Sequence, residues 1–230
     1  KSENMRLQVH LSETKSEHLE SISRRGMTPA RWFEHLGLFD VPAIAAHCVW
    51  IDDSDIEILA KKGVFAAHCP SSNLKLGSGI APIKKLRDAG VKVTIGTDGA
   101  ASNNNLNMLE EVNLAAILHK GANQDPLFIS KPELLKMACR NGALAQGRAD
   151  CGSIKIGNRA DIFVVDANSP HMRPLINPLS NIIYSAQSSD IVLNIVDGKV
   201  LYKDGEYLTL DIERIIFEAE RIAEEKLALL

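Results

Sequence analysis

The chain has no run of lysine and arginine, no apolar stretch near the ~20 residues of a membrane span, and no C-x-x-C pair. Each absence removes a class. Scattered basic residues and a net charge of -3 offer no groove for a polyanion, so no nucleic acid is expected as a partner. With neither a membrane span nor a charged segment leading into an apolar one at the start, the reading is a cytoplasmic protein that works away from the membrane. Cys48, Cys69, Cys139 and Cys151 lie far apart in the chain. That spacing suits neither a zinc ribbon nor a redox pair, and reduced, buried thiols are expected. What remains is an ordinary globular composition, with 230 residues, 45% hydrophobic and 24% charged.

Strands and helices alternate through the first part of the chain. Met5 to His10, Pro42 to His47, Val64 to Ala67 and Val91 to Ile95 are short apolar runs, as expected of strands buried on both faces. Between them lie helical signals. Thr28-Pro29 supplies an N-cap and a proline at the first helical position, Ser54 to Glu57 fits a capping box, and Gly63 and Gly90 stop helices. Helices are also expected from Ser16, from Pro82, from about Leu106 to His119 and after Ser130. Strand and helix at this spacing mean a parallel α/β sheet, about half of the ~250 residues of a closed (β/α)8 TIM-type barrel. Residues 1–150 are therefore read as half of a barrel. Residues 151–208 read as a small β domain, with a hairpin turning at Asp197-Gly198. Residues 209–230 read as an amphipathic helix packed on the core, with Ile212, Ile215, Ile216, Ala219, Ile222, Ala223 and Leu227 at helical spacing.

Three of the strands end on groups that bind metal or move protons: His10, His47 and Asp98. One histidine at a strand end is more often a core residue than a ligand. Two histidines and an aspartate closing strands of one parallel sheet converge on a single face, where such barrels carry their chemistry. Imidazole and carboxylate suit Zn²⁺ or Fe²⁺, and His10 with Asp98 are the expected ligands. Glu13, in the turn after its strand, is placed to shuttle a proton. His47 is placed to polarise a substrate, and His68 to orient a loop or line the substrate pocket. His18, His35, His119 and His171 are read as structural.

The segments Val9 to Thr14, Ala46 to Trp50, His68 to Leu76 and Gly96 to Asn104, in that order, resemble the amidohydrolase superfamily. Within it they look most like the 5-methylthioadenosine/S-adenosylhomocysteine deaminases, with chlorohydrolases and guanine deaminases close by. Gly157 to Asp166 is similar to the segment that enters the family's C-terminal β domain. The resemblance implies a zinc- or iron-dependent aminohydrolase acting on a small nucleoside. It makes His10 the histidine ligand of the fifth barrel strand, Glu13 the proton shuttle, His47 the sixth-strand histidine and Asp98 the eighth-strand ligand and base. Asp98 would take a proton as hydroxide attacks the amino-bearing ring carbon. Glu13 would protonate the ring nitrogen, and ammonia would leave.

One departure is large. The family carries an H-x-H metal pair on its first barrel strand, and this sequence contains none. Catalytic zinc sites usually have three protein ligands, so the metal is expected to be poorly held by this chain alone. The expectation is a fragment, inactive by itself, that associates with a missing N-terminal half or with another copy of itself. Two alternatives stand beside the nucleoside reading. One is a chlorohydrolase or guanine deaminase-like hydrolase of another N-heterocycle, and the other a metal-free half-barrel used for assembly or binding.

Overall fold

A computed structural model describes residues 5–228. Eight strands and eleven α-helices fall into two sheets among these residues. The first sheet is parallel, in the order β1 (Leu7–Leu11), β2 (Ala43–His47), β3 (Phe65–His68), β4 (Val93–Ile95). Between its strands run α1 (Lys15–Arg25), α2 (Pro29–His35), α3 (Asp53–Lys62), α4 (Pro70–Lys75) and α5 (Ile83–Asp88). After β4 come α6 (Ala100–Asn103), α7 (Met108–Asn123) and α8 (Lys131–Lys136). A wider π-helical turn at Met137–Asn141 then leads into α9 (Gly142–Ala145). The second sheet is an antiparallel meander of β5 (Ile162–Val165), β6 (Ile191–Val196), β7 (Lys199–Lys203) and β8 (Glu206–Tyr207), with α10 (Pro178–Tyr184) between its first two strands. Asp197 and Gly198 both take positive φ (51° and 78°), the twist a two-residue hairpin requires. The chain ends in α11 (Ile212–Leu227).

The register of the parallel sheet decides which side chains face which way. Val9 pairs with Ala45, Ala45 with Ala66, and Ala66 with Val93; the last three belong to the core packed under the helices, and Val9 packs against it. Leu59 and Leu86 from α3 and α5 close that core with no exposed surface. Each such leucine stabilises by about 2 kcal/mol through burial. On the other face His10 pairs with Ala46, and Ala46 with Ala67. That face is open, and His10 on it is exposed. The π turn also has a local purpose. It brings Asn141 against β4, where its amide donates to the Val93 carbonyl at 2.7 Å, satisfying a buried backbone acceptor.

Several expectations need correction. The capping box of α3 sits two residues earlier than expected, on Asp52 and Asp55, whose carboxylates each accept the other's backbone N–H. Asp55 is fully buried and also accepts from the Thr28 hydroxyl that caps α2, so one carboxylate ties two helix starts together. Cys139 is exposed while Cys48, Cys69 and Cys151 are buried, so only three of the four thiols are buried as expected. It lies on the π turn, at the rim of a cavity between α7, α8 and the second sheet. The largest difference concerns α11. The helix forms where its periodicity predicts, but none of its residues is buried, and Ile215, Ile216, Phe217 and Ile222 remain about half exposed or more. An amphipathic helix buries its stripe only against an apolar acceptor, and the described residues bring none to it.

Candidate active site

The site is assembled at the C-terminal ends of the parallel strands, where the backbone bends sharply. Ser12, His47, Cys48 and Asp98 all adopt left-handed φ, between 48° and 71°. This conformation is costly for residues with a Cβ and concentrates at functional sites. At His47 it has a visible effect. Alternation along β2 would send His47 to the same side as Ala45, into the helix layer. With φ at 71° the strand ends there, and the ring instead comes to lie parallel to that of His10, with centroids 5.4 Å apart. Donor atoms of His10, His47 and Asp98 all lie within 4.8 Å of one another.

Each member is held from behind. Asn73 Oδ1 lies 2.8 Å from His47 Nδ1, and the Ser72 hydroxyl donates to Asp98 Oδ2 at 2.7 Å. Ser78 Oγ donates to Glu13 Oε1 at 3.2 Å, and the second Glu13 oxygen stands 3.8 Å from His47 Nε2. Glu17 accepts from the backbone N–H groups of Ser12 and Glu13, fixing the turn that carries Glu13. Glu111 is buried on α7. It accepts from Ser71 N–H and from the Asn103 amide, so it clamps α4 to α6. Burial alone would raise the Asp98 pKa. Hydrogen bonds from Ser72 and the Gly99 N–H, with the nearby His47, outweigh it and hold the carboxyl below its ordinary value. The two site cysteines lean the other way. Burial, reinforced by Asp98 and Glu111, pushes the Cys69 thiol up to about 12, and burial raises Cys48 as well. Neither is a thiolate nucleophile near neutral pH.

Of the residues singled out in the sequence, His10, Glu13, His47 and Asp98 come together. His68 does not join them. It pairs with Ile95, two residues beyond Ala66 on the helix-facing side, and is 1% exposed. Its Nε2 lies 2.9 Å from Nε2 of His119, whose ring stacks on Phe128. The expected substrate contact is replaced by a buried pair of imidazoles, and strand parity is the reason. Ser72, Asn73, Ser78 and Glu111 were not foreseen. Ser72 and Asn73 fall within the family-like segment His68 to Leu76 but have no expected role there, and Ser78 follows the same strand end.

The imidazole pair carries a pH signature. Burial pushes His68 well below the ordinary histidine pKa, and burial together with Arg87 brings His119 down to about 4. In the unfolded chain both would titrate near 6.5. Below that pH the unfolded state binds more protons than the folded one, so stability falls as the solution is acidified. Between pH 6.5 and 5 the unfolding free energy is expected to drop by about 2 kcal/mol from His119 alone, read as a falling urea midpoint. A midpoint that is flat over this range would show that the pair stays accessible to protons.

The donors suit a transition-metal ion. Two are imidazole and one carboxylate, they converge within 4.8 Å, and His47 Nε2 is buried with no hydrogen-bond partner among the described residues. Fold and cluster together define a parallel α/β protein with a two-histidine, one-carboxylate centre at its strand ends. The amidohydrolase family model matches residues 1–201, and the chain belongs to that family. It is 50% identical over 219 residues to the 5-methylthioadenosine/S-adenosylhomocysteine deaminase of Dictyoglomus thermophilum, a match over 95% of this chain and 51% of the relative. A zinc-bound adenosine deaminase from Xanthomonas campestris superposes with a TM-score of 0.92 at 35% identity, over 96% of this chain and 51% of that one. A zinc complex of atrazine chlorohydrolase from Arthrobacter aurescens superposes at 0.87 with 34% identity, over 94% of this chain and 48% of that one. The chain thus spans about half the length of the relatives it matches.

Proposed function

We propose that this chain carries one side of the active site of a metal-dependent hydrolytic deaminase of adenosine-type nucleosides, among them methylthioadenosine and S-adenosylhomocysteine. The convergence of His10, His47 and Asp98, with Glu13 3.8 Å from His47, carries this reading. In it residues 1–150 are strands five to eight of a (β/α)8 barrel, 151–208 a small β domain and 209–230 a terminal helix. Residues from the other half of the barrel complete the site. The zinc bound by the related structures supports zinc as the metal, held by His10 and Asp98 with His47 beside them. When bound, it acts as a Lewis acid that makes water acidic enough to react at neutral pH.

The chain's own residues then handle the protons. Asp98, kept ionised by Ser72 and Gly99, accepts a proton from the attacking water and passes it to the departing amino group, which leaves as ammonia. Glu13 delivers one to the purine ring nitrogen and regains one from the new hydroxyl as the carbonyl forms, while His47 orients the reacting groups. β1 and β4 each have only one neighbour in the sheet among the described residues. Their free edges support association with the other half of the barrel or with a second copy.

Ammonia release from methylthioadenosine, S-adenosylhomocysteine, adenosine and guanine, and chloride release from a chlorinated triazine, test the proposal. Each is measured with and without the half that the relatives possess. Ammonia from the adenosine-type nucleosides only in the complemented enzyme is the expected result. Chloride or guanine turnover would favour the neighbouring hydrolase reading, and no turnover after complementation would favour an assembly module.

A further inference from the structure

Asn73 is 1% exposed and uncharged, yet it reaches two parts of the site. Its side-chain oxygen lies 2.8 Å from His47 Nδ1, and its buried amide nitrogen has no partner among the described residues. Its main-chain carbonyl accepts from Ser78 N–H at 2.8 Å, and the Ser78 hydroxyl donates to Glu13. The residue before it, Ser72, holds Asp98. α4 therefore backs His47 and Asp98 directly, although it contributes no reacting group to the cluster.

The contact to His47 has chemical content. With the Asn73 oxygen turned toward the ring the carbonyl can only accept, which puts the shared proton on Nδ1 and leaves a bare lone pair at Nε2 of the neutral ring. Free histidine in water favours the opposite tautomer, with the proton on Nε2. His47 Nε2 is buried without a hydrogen-bond partner among the described residues and faces a Glu13 oxygen at 3.8 Å. Carrying the proton, it would be a donor to Glu13 and useless as a ligand. With the lone pair free, it can ligate a cation or accept a proton from a reactant.

We infer that Asn73 is a positioning residue. It reverses the intrinsic tautomer preference of His47 and, through the loop closed at Ser78, sets the Glu13 carboxylate. This rests on the proposed reading of the site for its consequence, but the tautomer can be read without turnover.

The experiment is long-range ¹H–¹⁵N correlation on the full chain labelled with ¹⁵N-histidine, at a pH where the rings are neutral, with His47 assigned by the signal lost in His47→Gln. The parent is expected to show His47 protonated on Nδ1. Asn73→Asp, whose carboxylate also accepts, retains that tautomer. Asn73→Ala moves His47 to mainly Nε2–H and lowers kcat of the complemented enzyme by about 10- to 100-fold, with KM within a few-fold. Rescue by the aspartate variant separates positioning from a purely structural role. A parent spectrum with the proton on Nε2 overturns the inference even if Asn73→Ala fails to fold, and so does an alanine variant that keeps the Nδ1–H form. A complemented parent that deaminates nothing, yet shows the Nδ1–H signal, would defeat the proposed function and leave this assignment standing.

Discussion

Asp98→Asn is expected to lower kcat/KM of the complemented enzyme toward an adenosine-type nucleoside by about 10⁴-fold and to leave folding unchanged. The substitution is nearly isosteric. Asparagine tolerates the left-handed φ of 62° found at this position and can still accept from Ser72. What it loses is the negative charge. An amide cannot take a proton from water and is a weak donor to a cation, so on the proposed reading a base and a ligand go together. General-base loss alone is worth 10²–10⁴-fold, and the change should fall on kcat more than on KM. Steady-state ammonia release with a thermal melt beside it makes the measurement. Activity within tenfold of the parent, in a properly folded variant, would show that another group holds the base position.

Glu111→Ala should be the most damaging of the unforeseen residues. Glu111 is 1% exposed, and its two oxygens accept from Ser71 N–H at 3.2 Å and from the Asn103 amide at 2.8 Å. Alanine leaves a half-buried backbone donor without its partner, opens a cavity on α7 and frees α4 from α6. Orphaned donors and lost volume together are expected to cost about 3 kcal/mol of unfolding free energy. Because Ser72 lies on α4 and Asp98 just before α6, kcat should fall about 100-fold as well, a penalty typical of reacting groups displaced by an ångström or so. Glu111→Gln separates the effects. Its carbonyl keeps one acceptor, so about half of the stability should return. Equal losses from Gln and Ala in a urea series would locate the effect in the charge and count against the clamp.

Much of this architecture could be read before the fold was known, because the physics involved is local. Short apolar runs ending on His10, His47 and Asp98 are visible in the letters, and a parallel sheet brings strand ends together wherever they fall in the chain. Glu13 was legible for the same reason. Errors arose where local pattern underdetermines direction. His68 and His47 look alike in sequence, each closing an apolar strand. Only register separates them, since His68 continues the parity of Ala66 into the helix layer while His47 escapes it through a left-handed bend. No sequence period encodes that bend. Asn73 and Ser72 look like loop residues, although they lie on a buried helix of one and a half turns whose purpose is tertiary. α11 shows the converse, since amphipathic spacing reports a helix's preferred environment and says nothing about what supplies it.

The bends at Ser12, His47, Cys48 and Asp98 also constrain how this chain can change. Glycine is the residue most comfortable at positive φ, and placing it at such a position would relieve roughly 1 kcal/mol of backbone strain. Stability and chemistry therefore pull these positions in opposite directions. A selection for thermal tolerance alone would drift toward glycine at Asp98, where the side chain lost is small and partly exposed, whereas one that reads turnover would keep the strained side chain. The ends of these strands are where a more durable version of this protein would be a less capable one.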